Sequence, residues 1–404
     1  MRRIGAGGAR AGQRLDRNVW VAGFVSLFND ISSEMVYPLL PLFLTGVLKA
    51  SRTSLGLVEG IAEATASVLK VFSGVLSDRF HNRKLPMFLG YGLSLAARPF
   101  IAAAGSWPAV LGARFADRAG KGIRTAPRDA VIADSAPPAL RGKAFGVHRG
   151  MDTAGAALGP GLAMLMLAAA FDMRTVFWWS ILPGLVALLL VTLIRETGVR
   201  TQPSGPAPSV GAAFGQKGAF RDFLWVTALF TLGNSSDTFL LLKARSVGFS
   251  VEAVAGVYLL FNLFYAAVAG PIGAMADRWG LGRVVLLSFP YYAGVYLGFA
   301  LAGGPAAVVV LFLLYGPFQA VEEGVKKAYV SRLIPAGFMG SGMGAYNAVK
   351  GVVLLPASLL TGILWDRVGA AAAFGTDAAL ALGAGLLFAF CLGRRRQRPE
   401  LGRE

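Results

Sequence analysis

The sequence predicts an all-α polytopic membrane protein of twelve transmembrane helices in two pseudo-symmetric six-helix bundles. Three observations predict it. The 404 residues are 55% hydrophobic and only 15% charged, whereas an ordinary soluble domain carries roughly a quarter charged residues. Apolar runs recur with a regular beat, each near the roughly 20 residues needed to cross a bilayer. Short features of the first half return about 200 residues later. With a mean hydropathy of +0.58, a bilayer must solvate much of the surface, and the length leaves no room for a large soluble domain as well.

Taken in order, the first 17 residues form a basic tail, read as cytoplasmic, because a full-length span without a small-residue cleavage site follows. The first bundle, 18–194, holds spans near 18–47, 54–77, 85–104, 107–134, 141–170 and 173–194. The stretch 195–219 is a linker, marked by Pro203, Ser204, Gly205, Pro206 and Pro208. The second bundle, 220–393, holds spans near 220–247, 252–276, 283–302, 305–334, 340–365 and 370–393, and 394–404 form a second basic tail.

The net charge of +17 would suggest nucleic acid in a soluble chain. Here the charge falls in alternate loops and reads as orientation. Arg79, Arg83 and Lys84 follow span two, Arg141 and Lys143 follow span four, and Arg195 and Arg200 follow span six, whereas Gly105-Ser106-Trp107 and Gly303-Gly304-Pro305 carry no charge. The positive-inside rule puts both termini in the cytoplasm. In a bacterial-type cell that membrane is the inner one. Cys391 is alone, which excludes an internal disulfide or a cysteine metal site. Two histidines with Met339 and Met343 make no convincing ligand cluster. Neither a Walker sequence nor a hydrolase motif is present. We expect no cofactor, no metal, no nucleic-acid partner and no enzymatic activity.

The halves echo each other. Ser32-Ser33-Glu34 in span one returns as Ser235-Ser236-Asp237 in span seven. The loop Gly74 to Lys84, with Asp78, Arg79 and Arg83, returns as Gly273 to Arg283, with Asp277 and Arg278. Parallel repeats with a solute path between them are one architecture of secondary transporters.

This doubled loop resembles the signature of the major facilitator superfamily, G-x-x-x-D-R-x-G-R-R/K between helices two and three with a weaker copy between helices eight and nine. The first copy departs from it at His81 and Asn82, and the second keeps Gly280. The resemblance implies the major facilitator fold and a gate at these loops; the plainer alternative is a pair of loop-anchoring salt bridges. In span five, Gly146, Gly155, Gly159 and Pro160 are similar to the antiporter pattern G-x8-G-x3-G-P of exporters, with Ala163-Met164 in place of its next glycines. Such spacing equally serves close helix packing. In span four, Arg118, Lys121, Gly122 and Ala126 resemble R-x-x-Q-G-x-x-x-A, with lysine for glutamine. These resemblances point to the drug/proton antiporter branch.

Charges inside spans are costly and usually face a cavity or a partner. The candidates for proton coupling or solute binding are Asp30, Glu34, Glu59, Glu63, Arg98, Arg124, Arg128, Arg149, Asp152, Asp237, Lys243, Glu322 and Lys350. Glu34 and Asp237 lead, because they occupy equivalent places in the two halves. A buried structural pair is the competing account of each carboxylate. The basic residues of spans four, five and eleven either snorkel to the cytoplasmic face or line the cavity. Two solute classes follow. One is a small amphipathic, drug-like compound exported against protons. The other is an anionic metabolite or siderophore-like carboxylate taken up or exchanged, which converging arginines and lysines would favour. A wall of Phe, Leu and Met would mark the first, and a basic wall the second. We expect a monomer whose partners are the solute, protons and the lipid bilayer.

Overall fold

The computed structural model describes residues 15–80, 82–137, 140–196, 210–216, 218–335 and 337–396; the side chains of 74–80, 210, 395 and 396 are not among those described. No strand occurs among the described residues. The helices are α1 (Arg17–Val36), α2 (Leu40–Leu42), α3 (Arg52–Phe80), α4 (Lys84–Ala103), α5 (Trp107–Asp134), α6 (Arg141–Ala168), α7 (Met173–Trp179), α8 (Ile181–Val191), α9 (Val210–Phe214), α10 (Ala219–Leu232), α11 (Thr238–Ser246), α12 (Val251–Trp279), α13 (Leu281–Leu301), α14 (Pro305–Ala320), α15 (Lys326–Leu333), α16 (Met339–Arg367) and α17 (Ala370–Arg396), with π-turns at Phe43–Val47 and Val321–Val325.

Boundaries follow the apolar runs closely, and the interruptions are what the runs conceal. The predicted span 18–47 stops at Tyr37-Pro38-Leu39 before resuming, and the predicted span 220–247 is open at Gly233 to Asp237. Proline removes a backbone donor and crowds the preceding turn, which accounts for the first interruption. The π-turn at 321–325 lies four residues beyond Pro317. Part of the predicted linker, Val210–Phe214, is helical, and the predicted C-terminal tail begins inside α17.

Eight stretches of helix among the described residues are long and apolar enough to cross a membrane: 84–103, 141–168, 173–191, 251–279, 281–301, 305–333, 339–367 and 370–394. The chain is therefore an integral membrane protein. The other four predicted spans fail on composition or continuity for a physical reason. The helix α3 carries Glu59, Glu63 and Lys70, and α5 carries a charge on nearly every turn. The remaining two are the interrupted segments.

Packing sets up the site. The pairs α1–α6, α4–α5 and α3–α5 pack within the first half, and α13–α17, α12–α14 and α10–α17 within the second. Between the halves α3 lies along α16 and α6 along α12, and α2 meets α11. Glycines make the first seam close. A Cβ at Gly56 would meet the Ser358 carbonyl, and one at Gly60 would lie 2.7 Å from the Leu355 Cα. At one end of the seam the Asp366 carboxylate accepts from the backbone N–H of Arg52 (3.1 Å) and of Thr53 (2.8 Å) and from the Thr53 hydroxyl (2.8 Å). One half thus caps a helix N-terminus of the other. Within the first half, at the other end of α3, Arg83 pairs with Asp134 (3.0 Å) and the Asn18 amide donates to the Ser135 hydroxyl and the Arg195 carbonyl.

Candidate functional site

Between the seams lies a cavity of about 520 Å³. Its wall from the first half is built by α1, α3, α5 and α6. Gly155 and Gly159 of α6 let that helix touch α1 where Asp30 and Glu34 sit: a Cβ at Gly155 would lie 2.9 Å from the Asp30 Cβ, and one at Gly159 2.8 Å from the Glu34 Cβ. The span-five pattern thus serves to bring α6 against the α1 carboxylates. Gly146 packs against nothing within 4 Å, and Pro160 is an interior residue of α6.

The wall is almost wholly polar. It presents Arg118, Lys121, Arg124, Arg128, Arg149, Lys327 and Lys350 together with Asp30, Glu34, Glu63, Asp117, Asp152, Asp237, Glu322 and Glu323. Serines, threonines, asparagines, Gln319, Tyr37 and Tyr315 fill most of the rest, and Leu354 is its one aliphatic side chain. Both echoed triplets contribute, through Ser33-Glu34 and through Ser235-Ser236-Asp237.

Most of these charges are already matched. Arg118 pairs with Glu63 (3.2 Å), Arg128 with Asp129 (2.9 Å), Arg149 with Asp152 (2.9 Å), Lys327 with Glu323 (2.5 Å) and Lys350 with Glu322 (2.7 Å). Glu322 also holds Lys326 (2.5 Å), whose ammonium rests 3.7 Å from the centre of the Phe230 ring. The π-turn carries Glu322 and Glu323, and so sets this pairing.

Four groups are left over. Lys121 has no carboxylate within 4 Å among the described residues, and neither does Arg124, which instead donates to the Ser94 hydroxyl and stacks 4.5 Å from the centre of the Tyr91 ring. The two are three residues apart on α5, hence on one face. Glu34 accepts only from the Tyr258 hydroxyl (3.2 Å) and Asp237 only from the Tyr315 hydroxyl (2.8 Å). Asp30 is a separate case: it accepts from Asn29 (3.0 Å) and sits where α1 packs on α6, the helix that carries Asp152.

Ten of the thirteen sequence candidates therefore meet in one cavity, and three do not. Glu59 is fully buried behind the wall, bonded to Arg114 (2.9 Å), which also reaches Asp117 (3.2 Å). Arg98 is buried and donates to the Ser32 carbonyl. Lys243 is buried in α11, which packs on α2 and α12 rather than on the cavity wall. A span charge is thus no guarantee of a cavity position, because a helix carries several faces. Charged residues outside the candidate set that line the cavity are Arg118, Lys121, Asp117, Glu323 and Lys327. Their signal was the same run of charge on spans four and ten.

Of the loop residues, Asp277, Arg278 and Arg283 are exposed, and no ion pair joins them within 4 Å among the described residues. Gly280 has φ +88°, a conformation that side chains avoid, so a glycine is required where α12 turns into α13. The side chains of Gly74, Asp78 and Arg79, and all of His81, lie outside the described residues.

The profile of the Major Facilitator Superfamily matches residues 22–355 and 238–404. The chain belongs to that superfamily. It is a transporter, not an enzyme. An uncharacterised MFS-type transporter of Methanocaldococcus jannaschii is 34% identical over 388 residues, 94% of this chain and 96% of its own. An uncharacterised protein of Mycobacterium tuberculosis is 28% identical over 369 residues, 87% of each chain. Among solved structures, the nucleoside transporter NupG superposes with a TM-score of 0.78 at 13% identity, over 93% of this chain and 99% of its own. The human organic anion transporter MFSD10 does so with a TM-score of 0.69 at 19% identity, over 93% and 100%. At these identities the structures speak for the fold alone.

Proposed function

We propose that this protein is a proton-coupled secondary transporter of a small anionic or zwitterionic solute. The observation that carries the reading is the pair Lys121 and Arg124, two cations aimed at a polar cavity without a carboxylate partner. Leaving cations unmatched in a low-dielectric site is expensive unless a mobile anion completes them, and an arginine fork suits carboxylate or phosphate. A drug-like solute is disfavoured by the same cavity, since Leu354 is the only aliphatic side chain on its wall among the described residues. A lipophilic cation would find little apolar surface there.

The unmatched carboxylates supply the coupling. Asp30, Glu34 and Asp237 would load and release protons as the cavity changes access. Protonation relieves the burial of a carboxylate that lacks a cation. Alternating access follows by rocking the helices of 18–194 against those of 220–393, with the α3–α16 and α6–α12 seams as the contacts that open. The segments 17–47, 52–80, 107–134 and 219–246 complete twelve crossings, with most of their charges facing the cavity or paired behind its wall. By the positive-inside rule the end holding Arg83, Lys84 and Arg141 is cytoplasmic, in the inner membrane of a bacterial-type cell. The Asp78-Arg79 and Asp277-Arg278 loops then stand at the cytoplasmic mouth as its gate. The monomer is the working unit.

The test is solute-driven proton flux into proteoliposomes with an internal pH dye. The panel is inorganic phosphate, a dicarboxylate, an amino acid zwitterion and tetraphenylphosphonium. Flux with one or more of the first three and none with the last supports the reading. Flux with tetraphenylphosphonium alone would return the protein to the drug-exporting class.

A further inference from the structure

Outside the cavity wall lies a buried carboxyl that the transport reading does not use and that no basic side chain pairs among the described residues. Asp377, on α17, is the only carboxylate in the last apolar span and is not among the sequence-derived candidates. It is 1% exposed. Its partners are hydroxyls alone: Ser235 donates to Oδ2 (3.0 Å) and Thr361 to Oδ1 (3.2 Å). No basic side chain lies within 4 Å of it among the described residues. The titratable groups facing it are Tyr292 and Tyr296 of α13, and beyond Ser235 the Asp237 carboxyl at the open stretch 233–237.

Burying an ionised carboxylate with two neutral donors and no counter-charge costs several kcal/mol, so the fold must supply either a proton or a metal cation. The oxygen set decides between them. Besides its own two oxygens Asp377 meets two hydroxyls, and the nearby Gly233 carbonyl and Asn234 Oδ1 are already taken by the Tyr292 hydroxyl (2.8 and 3.2 Å). Hard cations gather about six oxygens. The site offers too few, and it fits a proton.

Access is through the helix opening. Ser235 both touches Asp377 and lines the cavity, while Thr361 lies on α16, the helix that carries Lys350 into the cavity. Gly233 has no room for a side chain, because a Cβ there would lie 2.7 Å from the Asp377 carbonyl oxygen. Three helical segments, α10–α11 at their junction, α16 and α17, therefore meet on one carboxyl.

We propose that Asp377 is a second proton-binding site, distinct from the cavity carboxylates and exchanging with cavity water past Ser235. Loading forms an O–H bond on the carboxylate with a proton given up by that water, and unloading returns it to water, leaving two hydroxyl donors to hold the anion. A proton here would set the hydrogen bonding across the junction that also carries Asp237, and so the bend between α10 and α11.

The experiment is pH-dependent infrared difference spectroscopy of the purified protein without solute, comparing wild type with Asp377→Asn, a near-isosteric change that mimics the protonated form. We expect a buried carboxylic-acid C=O band in wild type, absent from the variant, which converts to carboxylate as pH rises. Ser235→Ala should shift the band and slow its exchange while keeping it. A wild-type-minus-variant spectrum that shows only carboxylate at every pH overturns the proposal. So does loss of the acid band on adding sodium at constant pH, which would assign the site to that cation. Because no solute is present, either result leaves the anion reading of Lys121 and Arg124 standing or falling on its own test.

Discussion

The helix α5 and the run formed by α14, the π-turn and α15 hold corresponding places in the two halves and treat charge in opposite ways. In the second half each lysine near the cavity has a carboxylate of this run as partner: Lys326 and, from α16, Lys350 share Glu322, and Lys327 holds Glu323. In the first half Arg114 and Arg118 are matched by α3, whereas Lys121 and Arg124, one turn further, are not. The difference teaches where the solute's negative charge belongs. A wall whose cations each have a carboxylate partner offers shape and hydrogen bonds, and a wall with unpaired cations offers an anion site.

The comparison breaks most severely at Glu322. Replacing it by Gln leaves Lys326 buried and Lys350 half-buried without a counter-charge. Losing one partner of a buried ion pair costs about 3–5 kcal/mol. Glu322→Gln should therefore lower the thermal midpoint of the purified protein sharply, and an unchanged midpoint would mean the C-terminal wall is not held by this pairing. Next in size, Lys121→Gln or Arg124→Gln should weaken anion affinity roughly 10- to 100-fold, the worth of about 1.5–3 kcal/mol per charge-assisted hydrogen bond. The thermal midpoint should hardly change, since neither residue has a carboxylate to orphan.

The seams give smaller effects. Gly60→Leu must push α3 from α16, at about 1–3 kcal/mol for overpacking. A spin-label pair at Ser51 and Val368 should report a longer distance at the Asp366 end. Smallest is Asp366→Ala, which removes a cap worth about 1 kcal/mol. The same label pair should show a partial shift toward the longer distance, and no shift would mean that the glycine contacts alone hold that end closed.

Much of the fold was legible because lipid imposes a simple rule: satisfy the backbone within helices and keep their faces apolar. Residues 141–168 and 281–301 follow directly from it. The opening at 37–39 was not legible because Tyr37 and Leu39 continue the apolar run, and the polar stretch 233–237 did not tell by itself that the helix opens there, because its backbone groups are satisfied by tertiary partners. Tyr292 reaching the Gly233 carbonyl is one such partner. The site was legible where symmetry marked it, at Glu34 and Asp237. It was not where only pairing decides, since nothing in the sequence tells that Arg114 turns to Glu59 while Arg124, on the same helix, meets a serine and a tyrosine ring. Asp377 lay open to a different rule, that a lone carboxylate in an apolar span is functional by default, and no motif points to it.

The most direct test of the central claim is thermal stabilisation of the purified protein by small ions, measured for wild type, Lys121→Gln and Arg124→Gln. The panel is inorganic phosphate, a dicarboxylate, an amino acid zwitterion and tetraphenylphosphonium. The account predicts that one or more of the first three raises the wild-type midpoint and that this rise is lost in both variants. Stabilisation by tetraphenylphosphonium alone, or by an anion equally in all three proteins, would contradict it.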